Sequence, residues 1–465
     1  MKICSIRIKG FQQFDDIFLD FTNPETGEPV EKVCFIGRNG TGKSTILRFL
    51  NEAIPQLSSV YRGLTVYSIT VIISKVKYIF FYSSKGHQSK PQLIFDNYIV
   101  LKENIENENG WFEDFAMAVD NQSLLAVRNK YKEYELLKPD NNHISNQLIM
   151  NNNSSDLLIY SPAESQINNY CSVNDVPKSD LDSALKLFGN HPFYNEVSEQ
   201  NVSDFWKQLI FLTKSRENER NIFENRPENL SKTKKELIEE FEKEYPKILD
   251  RIAKLWNKIL DKAGLEFDIE NARNPIQLTD NLQVYIKHKE LNRRINYNQL
   301  STGIRNFMFR IGHIYSLYFN REIKRGFLLV DEPENSLFPD FLFDLVKTYQ
   351  EIVIDKNGEN NTQMFFSTHS PIIAAQFEPY ERILLEWDDT GYVKAFKGTA
   401  PAGDDPNDLL IKDFKLKNVM GEKGQEMWKE YLSLKKKLRK TTEETEKTAL
   451  IEKITKIGNS YNFGE

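Results

Sequence analysis

Near the N-terminus, apolar residues alternate with polar ones or run together over five or six positions. These stretches are rich in β-branched and aromatic side chains, which favours strands over helices. From Tyr61 to about Leu101 the same pattern returns around turn-like residues, and it predicts an antiparallel β layer. The three N-terminal strand candidates are residues 6–11, 17–21 and 32–36.

The pattern changes where the third strand candidate ends. A glycine-rich loop begins at Gly37, and residues 44–54 then have helical spacing up to Pro55. Farther along, the asparagine-rich residues 141–153 predict a surface loop before another strand at residues 157–161.

A helical region follows in the middle of the chain. Between about Leu181 and Gly264, apolar residues recur every three or four positions. Thr233 and Glu236 have the spacing of a capping box at a helix start. Pro246 lacks the N–H that a helix needs, so we expect it to kink or split the helix.

The last part of the chain combines both patterns. Residues 327–330 and 364–366 are apolar runs that predict buried strands. After a loop rich in Pro, Gly and Asp at residues 399–408, amphipathic patterns predict helices at residues 425–440 and 443–457. We therefore expect an α/β protein.

Composition indicates a folded protein outside the membrane. Of 465 residues, 40% are hydrophobic and 12% aromatic, which excludes a disordered chain. The start has no apolar signal core, and no stretch approaches the roughly 18 apolar residues of a membrane span, so we expect a cytoplasmic protein. The 3 cysteines and 6 histidines are scattered, which excludes a disulfide framework and a structural zinc site.

The charge is slightly acidic, with 61 basic and 67 acidic residues and a net charge of −6. A protein that wraps DNA by itself is usually basic where it meets the phosphates, so DNA contact here must be local or supplied by a partner. The basic run at residues 435–440 is either such a contact or a solvated helix face.

Residues 37–44 follow the pattern G-x-x-x-x-G-K-[ST], between a predicted strand and a predicted helix. In that setting backbone N–H groups converge on phosphate oxygens, and the helix N-terminus adds partial positive charge. We expect Lys43 to contact the β and γ phosphates and Ser44 to hold Mg²⁺; a glycine-rich turn without a ligand is the alternative. The nucleotide-binding candidates here are Gly37, Arg38, Asn39, Gly40, Thr41, Gly42, Lys43, Ser44 and Thr45.

Two acids follow the predicted strand at residues 327–330. Ligands of parallel sheets bind at the carboxyl ends of strands, where these acids lie. Asp331 is expected to order the Mg²⁺ shell, and Glu332 to orient or deprotonate an attacking water. A solvated acidic turn is the alternative.

Two weaker motifs accompany these. Leu300 to Gly303 reads LSTG before a helix, and Ser301 could simply be its N-cap. His369 follows another predicted strand, where it could contact a γ-phosphate or be a structural histidine.

As an ordered set, the phosphate loop, LSTG, the acidic pair and the strand-end histidine resemble ATP-binding-cassette (ABC) ATPases over about residues 1–395. The resemblance implies an α/β ATPase head with a mixed parallel and antiparallel sheet around the phosphate loop, a helical lobe II insertion and a C-terminal helical hairpin. It also implies ATP and Mg²⁺ as ligands and a head-to-tail homodimer in which Ser301 and Gly303 complete the partner's site. The expected divisions are residues 1–160 and 300–400 for the head, 161–299 for the insertion and 401–465 for the tail.

Within that class, the opening strands and the short insertion resemble the RecF/SMC-like branch. Residues 331–339 (DEPENSLFP) and the STHSP motif resemble OLD-like ATPases of bacterial antiphage defence, and the YSPAESQ segment and helical tail most resemble the PtuA family of Septu systems, also found with retrons. This resemblance implies a higher homo-oligomer and control of a partner HNH (PtuB-like) nuclease. It also makes Gln166 a candidate Mg²⁺ ligand, with a surface glutamine as the alternative.

The sequence departs from the family pattern in two places. Thr302 and Ile304 differ from LSGGQ, and Asn335 or Ser336 replaces the usual D-loop aspartate. These departures leave room for a nucleotide-sensing scaffold that seldom hydrolyses ATP. No nuclease motif is evident, so we expect any cutting of nucleic acid to belong to a partner.

Two other functions are alternatives at this stage. A RecF-like DNA repair ATPase would need a basic groove, which the acidic net charge disfavours. A transporter motor is the least favoured alternative, because nothing in the sequence suggests docking to a membrane subunit. The C-terminal helices either dock a partner or pack on the head through Met427, Trp428, Tyr431, Leu434 and Leu438.

Overall fold

A computed structural model describes most of the chain. Within that part, no helix is both long and apolar enough to cross a membrane. The described residues are 1–56, 66–73, 76–83, 98–101, 112–114, 117, 126–127, 129–130, 135–137, 155–163, 193–198, 220–244, 248–269, 286–295, 299–319 and 321–463.

The described part of the chain contains both strands and helices, as predicted for an α/β protein. The strands are β1 (Lys2–Phe11), β2 (Phe14–Asp20), β3 (Lys32–Gly37), β4 (Val66–Ile73), β5 (Val76–Ser83), β6 (Tyr98–Leu101), β7 (Glu135–Leu137), β8 (Asp156–Ser161), β9 (Tyr194–Glu196), β10 (Leu265–Phe267), β11 (Ile286–His288), β12 (Arg293–Ile295), β13 (Arg325–Asp331), β14 (Thr362–Thr368), β15 (Arg382–Trp387) and β16 (Val393–Lys397). The main helices are α1 (Lys43–Ala53), α2 (Lys234–Glu244), α3 (Ile248–Leu260), α4 (Thr302–Tyr318), α5 (Pro339–Leu342), α6 (Leu345–Ile352), α7 (Pro371–Ala374), α8 (Pro406–Lys412), α9 (Glu422–Leu438) and α10 (Glu444–Tyr461).

A seven-stranded sheet forms the centre, in the order β16-β15-β3-β14-β13-β8-β9. All neighbours pair in parallel except β16, which runs antiparallel to β15. The predicted apolar strands β3, β8, β13 and β14 are confirmed as the buried middle of this sheet. Because these strands are parallel, the acids that end β13 and the histidine that follows β14 lie at the same edge as the end of β3.

The two faces of this sheet are covered differently. Along β13, Leu328 and Val330 pack with α3, α4 and α6, whereas Phe327 and Leu329 pack with α1 and the N-terminal strands. This alternation follows from the two-residue repeat of a strand.

A second, antiparallel sheet has the order β2-β1-β4-β5-β6-β7 and confirms the predicted antiparallel layer. The side chain of Gln363 in β14 joins it to the central sheet. Its Oε1 accepts the Ile3 N–H at 2.7 Å, and its Nε2 donates to the carbonyls of Ile3 and Val30, each at 2.9 Å. A fully buried amide is tolerated here because both its ends are hydrogen-bonded.

Among the described residues in the middle of the chain, helices α2 and α3 precede a small sheet. The predicted capping box is confirmed: the Thr233 N–H donates to Glu236 Oε2 at 2.8 Å, and the Glu236 N–H donates to Thr233 Oγ1 at 3.4 Å. Helices α2 and α3 flank residues 245–247, so the predicted break at Pro246 falls outside the described residues. The antiparallel sheet β10-β11-β12 was not predicted, because its strands have only three residues each.

The two predicted C-terminal helices are confirmed as α9 and α10, which pack on each other. Trp428 and Tyr431, from the predicted apolar face of α9, contact the ring of Phe463 at centroid distances of 5.0 and 5.5 Å. These aromatic residues therefore form a small core inside the hairpin.

Candidate functional site

The phosphate-loop segment, residues 37–44, connects the buried end of β3 to α1, as the sequence predicts. Gly42 has a left-handed backbone with φ of 96°, and a Cβ there would lie 2.1 Å from Nε2 of Gln13. Only glycine fits this position without displacing its neighbours. Thr41 Oγ1 donates to the carbonyl of Arg38 at 2.8 Å and closes the loop.

Lys43 lies in the cradle of this loop. Its Nζ donates to the carbonyl of Gly37 at 3.1 Å and to that of Arg38 at 3.5 Å. Burial lowers the pKa of Lys43, and the charges of Glu332 and Asp331 oppose that shift. The ammonium group is thus held beside the acids that end β13.

Asp331 meets the phosphate-loop helix across the sheet. Ser44 Oγ donates to Asp331 Oδ1 at 3.0 Å, and Ser367 Oγ at the end of β14 donates to the same carboxylate. Neighbouring ligands of an octahedral Mg²⁺ ion with bonds of about 2.1 Å lie about 3 Å apart. The spacing and the oxygen chemistry of Ser44 and Asp331 therefore fit Mg²⁺.

Magnesium needs few protein ligands in such a place. Among the described residues, no group of three or more His, Cys, Asp or Glu side chains could hold a metal ion. Mg²⁺ is commonly held by one or two protein oxygens together with substrate phosphates and water. The Ser44 and Asp331 pair is of that kind.

Glu332 has a backbone conformation that is unusual for a residue other than glycine. Its φ is 44°, a left-handed conformation that costs on the order of 1–2 kcal/mol. Its N–H donates to the carbonyl of Ser367 at 3.1 Å and to Ser367 Oγ at 3.2 Å. The end of β14 thus holds the turn that aims Glu332.

His369 faces Glu332 from the neighbouring strand end. Nε2 of His369 lies 3.4 Å from Oε1 of Glu332, and their side chains are 36% and 31% exposed. Burial and the charge of Lys43 lower the pKa of His369, while the charge of Glu332 opposes the shift. The imidazole is therefore mainly neutral near pH 7, where it can accept or donate one hydrogen bond.

Sequence reasoning missed two residues of this site. Ser367 binds both Asp331 and the Glu332 N–H, and Glu334 accepts hydrogen bonds from the residues next to it in space, Thr368 and His369. A second acid two positions after Glu332 and a serine two positions before His369 were the available signals. Their roles depend on which strands are neighbours, and the sequence pattern does not specify that order.

The LSTG segment lies at the start of α4. Ser301 is the N-cap of this helix, and its Oγ accepts the Ile304 N–H at 3.4 Å. The prediction that Ser301 caps a helix is therefore confirmed. A Cβ on Gly303 would lie 1.8 Å from the carbonyl oxygen of Ser336. Gly303 is therefore needed for packing within its own chain, which the sequence did not indicate.

The remaining candidates lie around these residues. Arg38, Asn39 and Gly40 are exposed at the tip of the loop. Thr45 Oγ1 lies 3.5 Å from Oε1 of Gln12 in the turn between β1 and β2. Gln166 lies outside the described residues.

Comparison with known families agrees with this geometry. A search of curated proteins finds no match. The family model described as AAA ATPase domain matches residues 1–374, which span the phosphate loop, both acids and His369. A family with this domain binds nucleotide, usually with Mg²⁺. The chain belongs to the AAA ATPase domain family.

Proposed function

We propose that this chain binds ATP with Mg²⁺ at the phosphate loop and hydrolyses it to ADP and phosphate. The observation that carries the proposal is the 3.0 Å approach of Ser44 Oγ to Asp331 Oδ1. It brings two oxygen atoms that can bind a metal ion, from motifs distant in sequence, together beside the N-terminus of α1. The N–H groups at a helix N-terminus favour anions.

Each residue of the site has a role in this proposal. Lys43 exchanges its loop carbonyls for the β and γ phosphate oxygens, and the loop N–H groups bind the remaining oxygens. Ser44 and Asp331 hold Mg²⁺, which when bound neutralises charge on the phosphates.

Hydrolysis also needs a water molecule aimed at the γ-phosphate. Glu332 accepts a hydrogen bond from that water and orients it or takes its proton. His369, mainly neutral beside Glu332, donates to a γ-phosphate oxygen and so senses whether the third phosphate is present. Ser367 holds the backbone of Glu332 in its left-handed conformation before substrate arrives.

The test is phosphate release from ATP by the purified protein, with and without double-stranded DNA. The Glu332→Gln variant serves as the blank, since it keeps the shape of the site and removes the carboxylate. Turnover well above the blank supports the proposal. Tight ATP binding without turnover would favour the nucleotide-sensing scaffold instead, and absence of ATP binding would contradict both.

The proposed active form is a head-to-tail homodimer, or a higher homo-oligomer built from it. Ser301 is exposed at the N-terminus of the 17-residue helix α4, and such a helix end attracts phosphate. In the dimer it would face the γ-phosphate bound by the partner chain. Light scattering of Glu332→Gln with and without ATP tests this, because a trapped ATP state should double the mass.

The finer proposal is an ATPase of antiphage defence, of the PtuA type found in Septu systems and with retrons. In this proposal nucleotide state controls an HNH (PtuB-like) nuclease, which acts on DNA. The supporting features are the DEPENSLFP and STHSP segments and the C-terminal hairpin, in which most side chains are exposed. Pull-down of a nuclease co-expressed from a neighbouring gene, with and without residues 424–465, tests whether this hairpin docks it.

A further inference from the structure

Glu334 connects the two strand ends that carry the proposed catalytic pair. Its Oε1 accepts a hydrogen bond from Thr368 Oγ1 at 2.6 Å and another from the His369 N–H at 2.7 Å. Glu334 follows β13, and its two donors lie at the end of β14. One carboxylate oxygen therefore fixes the backbone from which the His369 ring projects.

The hydrogen bonds continue on the far side of His369. Thr368 Oγ1 accepts the Ser370 N–H at 2.9 Å, and Ser370 Oγ accepts the Ile373 N–H at 3.4 Å, where it caps α7. The residues before and after His369 are thus both held, and the chain of contacts starts at Glu334. With this backbone fixed, the ring Nε2 reaches Glu332 Oε1 at 3.4 Å.

A carboxylate is a costly choice for a purely structural contact at this place. Its Oε2 is buried and has no hydrogen-bond partner among the described residues. Burial raises the pKa of Glu334, and the neighbouring charge of Glu332 adds to that shift. A buried acceptor without a partner is destabilising, so a smaller residue at this position would avoid that cost.

We propose that Glu334 is a positioning residue that holds His369 against Glu332 and thereby sets how strongly the site prefers a nucleotide with a γ-phosphate over one without it. This inference rests on the proposed function of the same site. Glu334 acts through His369, whose backbone N–H it binds.

A double-mutant cycle on nucleotide preference tests the inference without any turnover. We would measure dissociation constants of the non-hydrolysable analogue AMP-PNP and of ADP for the whole protein and for Glu334→Ala, His369→Ala and the double variant. Each single change should lower the preference for AMP-PNP over ADP, on the order of tenfold for loss of a charge-assisted contact. The double variant should be within about twofold of His369→Ala alone, because both changes remove one interaction.

Conservative variants separate positioning from folding. Glu334→Gln keeps the acceptor for Thr368 and His369 and should restore the preference to within about twofold of the unmodified protein. Glu334→Asp is one methylene shorter and should behave like Glu334→Ala, and it replaces that variant if the alanine does not fold. Equal weakening of AMP-PNP and ADP, or multiplying effects in the double variant, would overturn the inference.

A second readout needs no nucleotide. With histidine labelled at ¹³Cε1, the NMR signal of His369 is identified by its loss in His369→Ala. Glu334→Ala should displace this signal, Glu334→Gln should return it, and Glu430→Ala on the exposed side of α9 should leave it unchanged. An unmoved signal in Glu334→Ala would refute the positioning role, even if the protein bound no ATP and the proposed function were wrong.

Discussion

Nε2 of His369 lies 3.4 Å from Oε1 of Glu332, and each residue is held by the strand that bears the other. Ser367, at the end of β14, binds the Glu332 N–H, and Glu334, after β13, binds the His369 N–H. Hydrogen bonds between the two strand ends therefore position both the proposed water-activating acid and the proposed γ-phosphate sensor. Disturbing one strand end should affect both residues.

Glu332→Gln should bind ATP with nearly unchanged affinity and lower phosphate release on the order of 10²- to 10³-fold. The amide keeps the size of the side chain but is a poor acceptor for a proton from water. Steady-state phosphate release and equilibrium ATP binding measure the two effects. A variant with normal turnover would show that Glu332 is not the activating group.

Lys43→Met should lower ATP affinity by about tenfold or more, because it removes charge-assisted hydrogen bonds to phosphate. Fluorescence titration with a labelled ATP analogue measures the affinity. Lys9→Met serves as the control, since Lys9 lies in β1 and pairs with Glu113. Unchanged affinity in Lys43→Met would exclude the phosphate loop as the nucleotide site.

The stability that His369 contributes should depend on pH. Its pKa is lowered from 6.5 in the folded protein, so the unfolded chain binds this proton more tightly. The contribution of the neutral ring is complete above pH 6.5 and is lost as the pH falls through the lowered folded pKa. Urea unfolding should therefore show a larger advantage over His369→Gln at pH 7.5 than at pH 5, and an equal advantage at both would contradict this.

Gly303→Ala should destabilise the chain by about 1–3 kcal/mol, because its Cβ would overlap the Ser336 carbonyl. Gly424→Ala in α9 is the matched control, since its Cβ would meet only Met420 at 3.4 Å. That control should be neutral or stabilising. Urea unfolding measures the free energy of unfolding of both variants. If Gly303→Ala is destabilised as expected, its loss of activity has a cause within the chain besides any dimer contact.

Asp413→Ala should destabilise the chain by about 3–5 kcal/mol. Asp413 lies 3.1 Å from the guanidinium of Arg382 in β15, and both side chains are fully buried. Asp408→Ala, whose partner Lys412 is exposed, should cost at most about 1 kcal/mol. Equal effects of the two changes would show that the buried Arg382–Asp413 pair does not hold the segment around Asp413 to the central sheet.

The sequence pattern predicted most strands of the two large sheets, because apolar runs and alternation are local. It also predicted the phosphate loop and the acids at the end of β13, because these residues form short sequence motifs. It did not predict the order of the strands, so the contacts of Ser367, Glu334 and Gln363 could not be foreseen. The small sheet β10-β11-β12 was missed for another reason, since strands of three residues carry almost no periodicity.

The position of β3 bears on how the protein is made. Its two neighbours are β14 and β15, so the strand that bears the phosphate loop has no partner in this sheet until β14, which ends at Thr368, is synthesised. At about 5–20 residues per second, a ribosome needs roughly 17 to 66 s to pass from Gly37 to Thr368. During that time the apolar residues of β3 must be shielded by the N-terminal layer or by a chaperone, and a nascent chain interrupted before that point cannot form the nucleotide site.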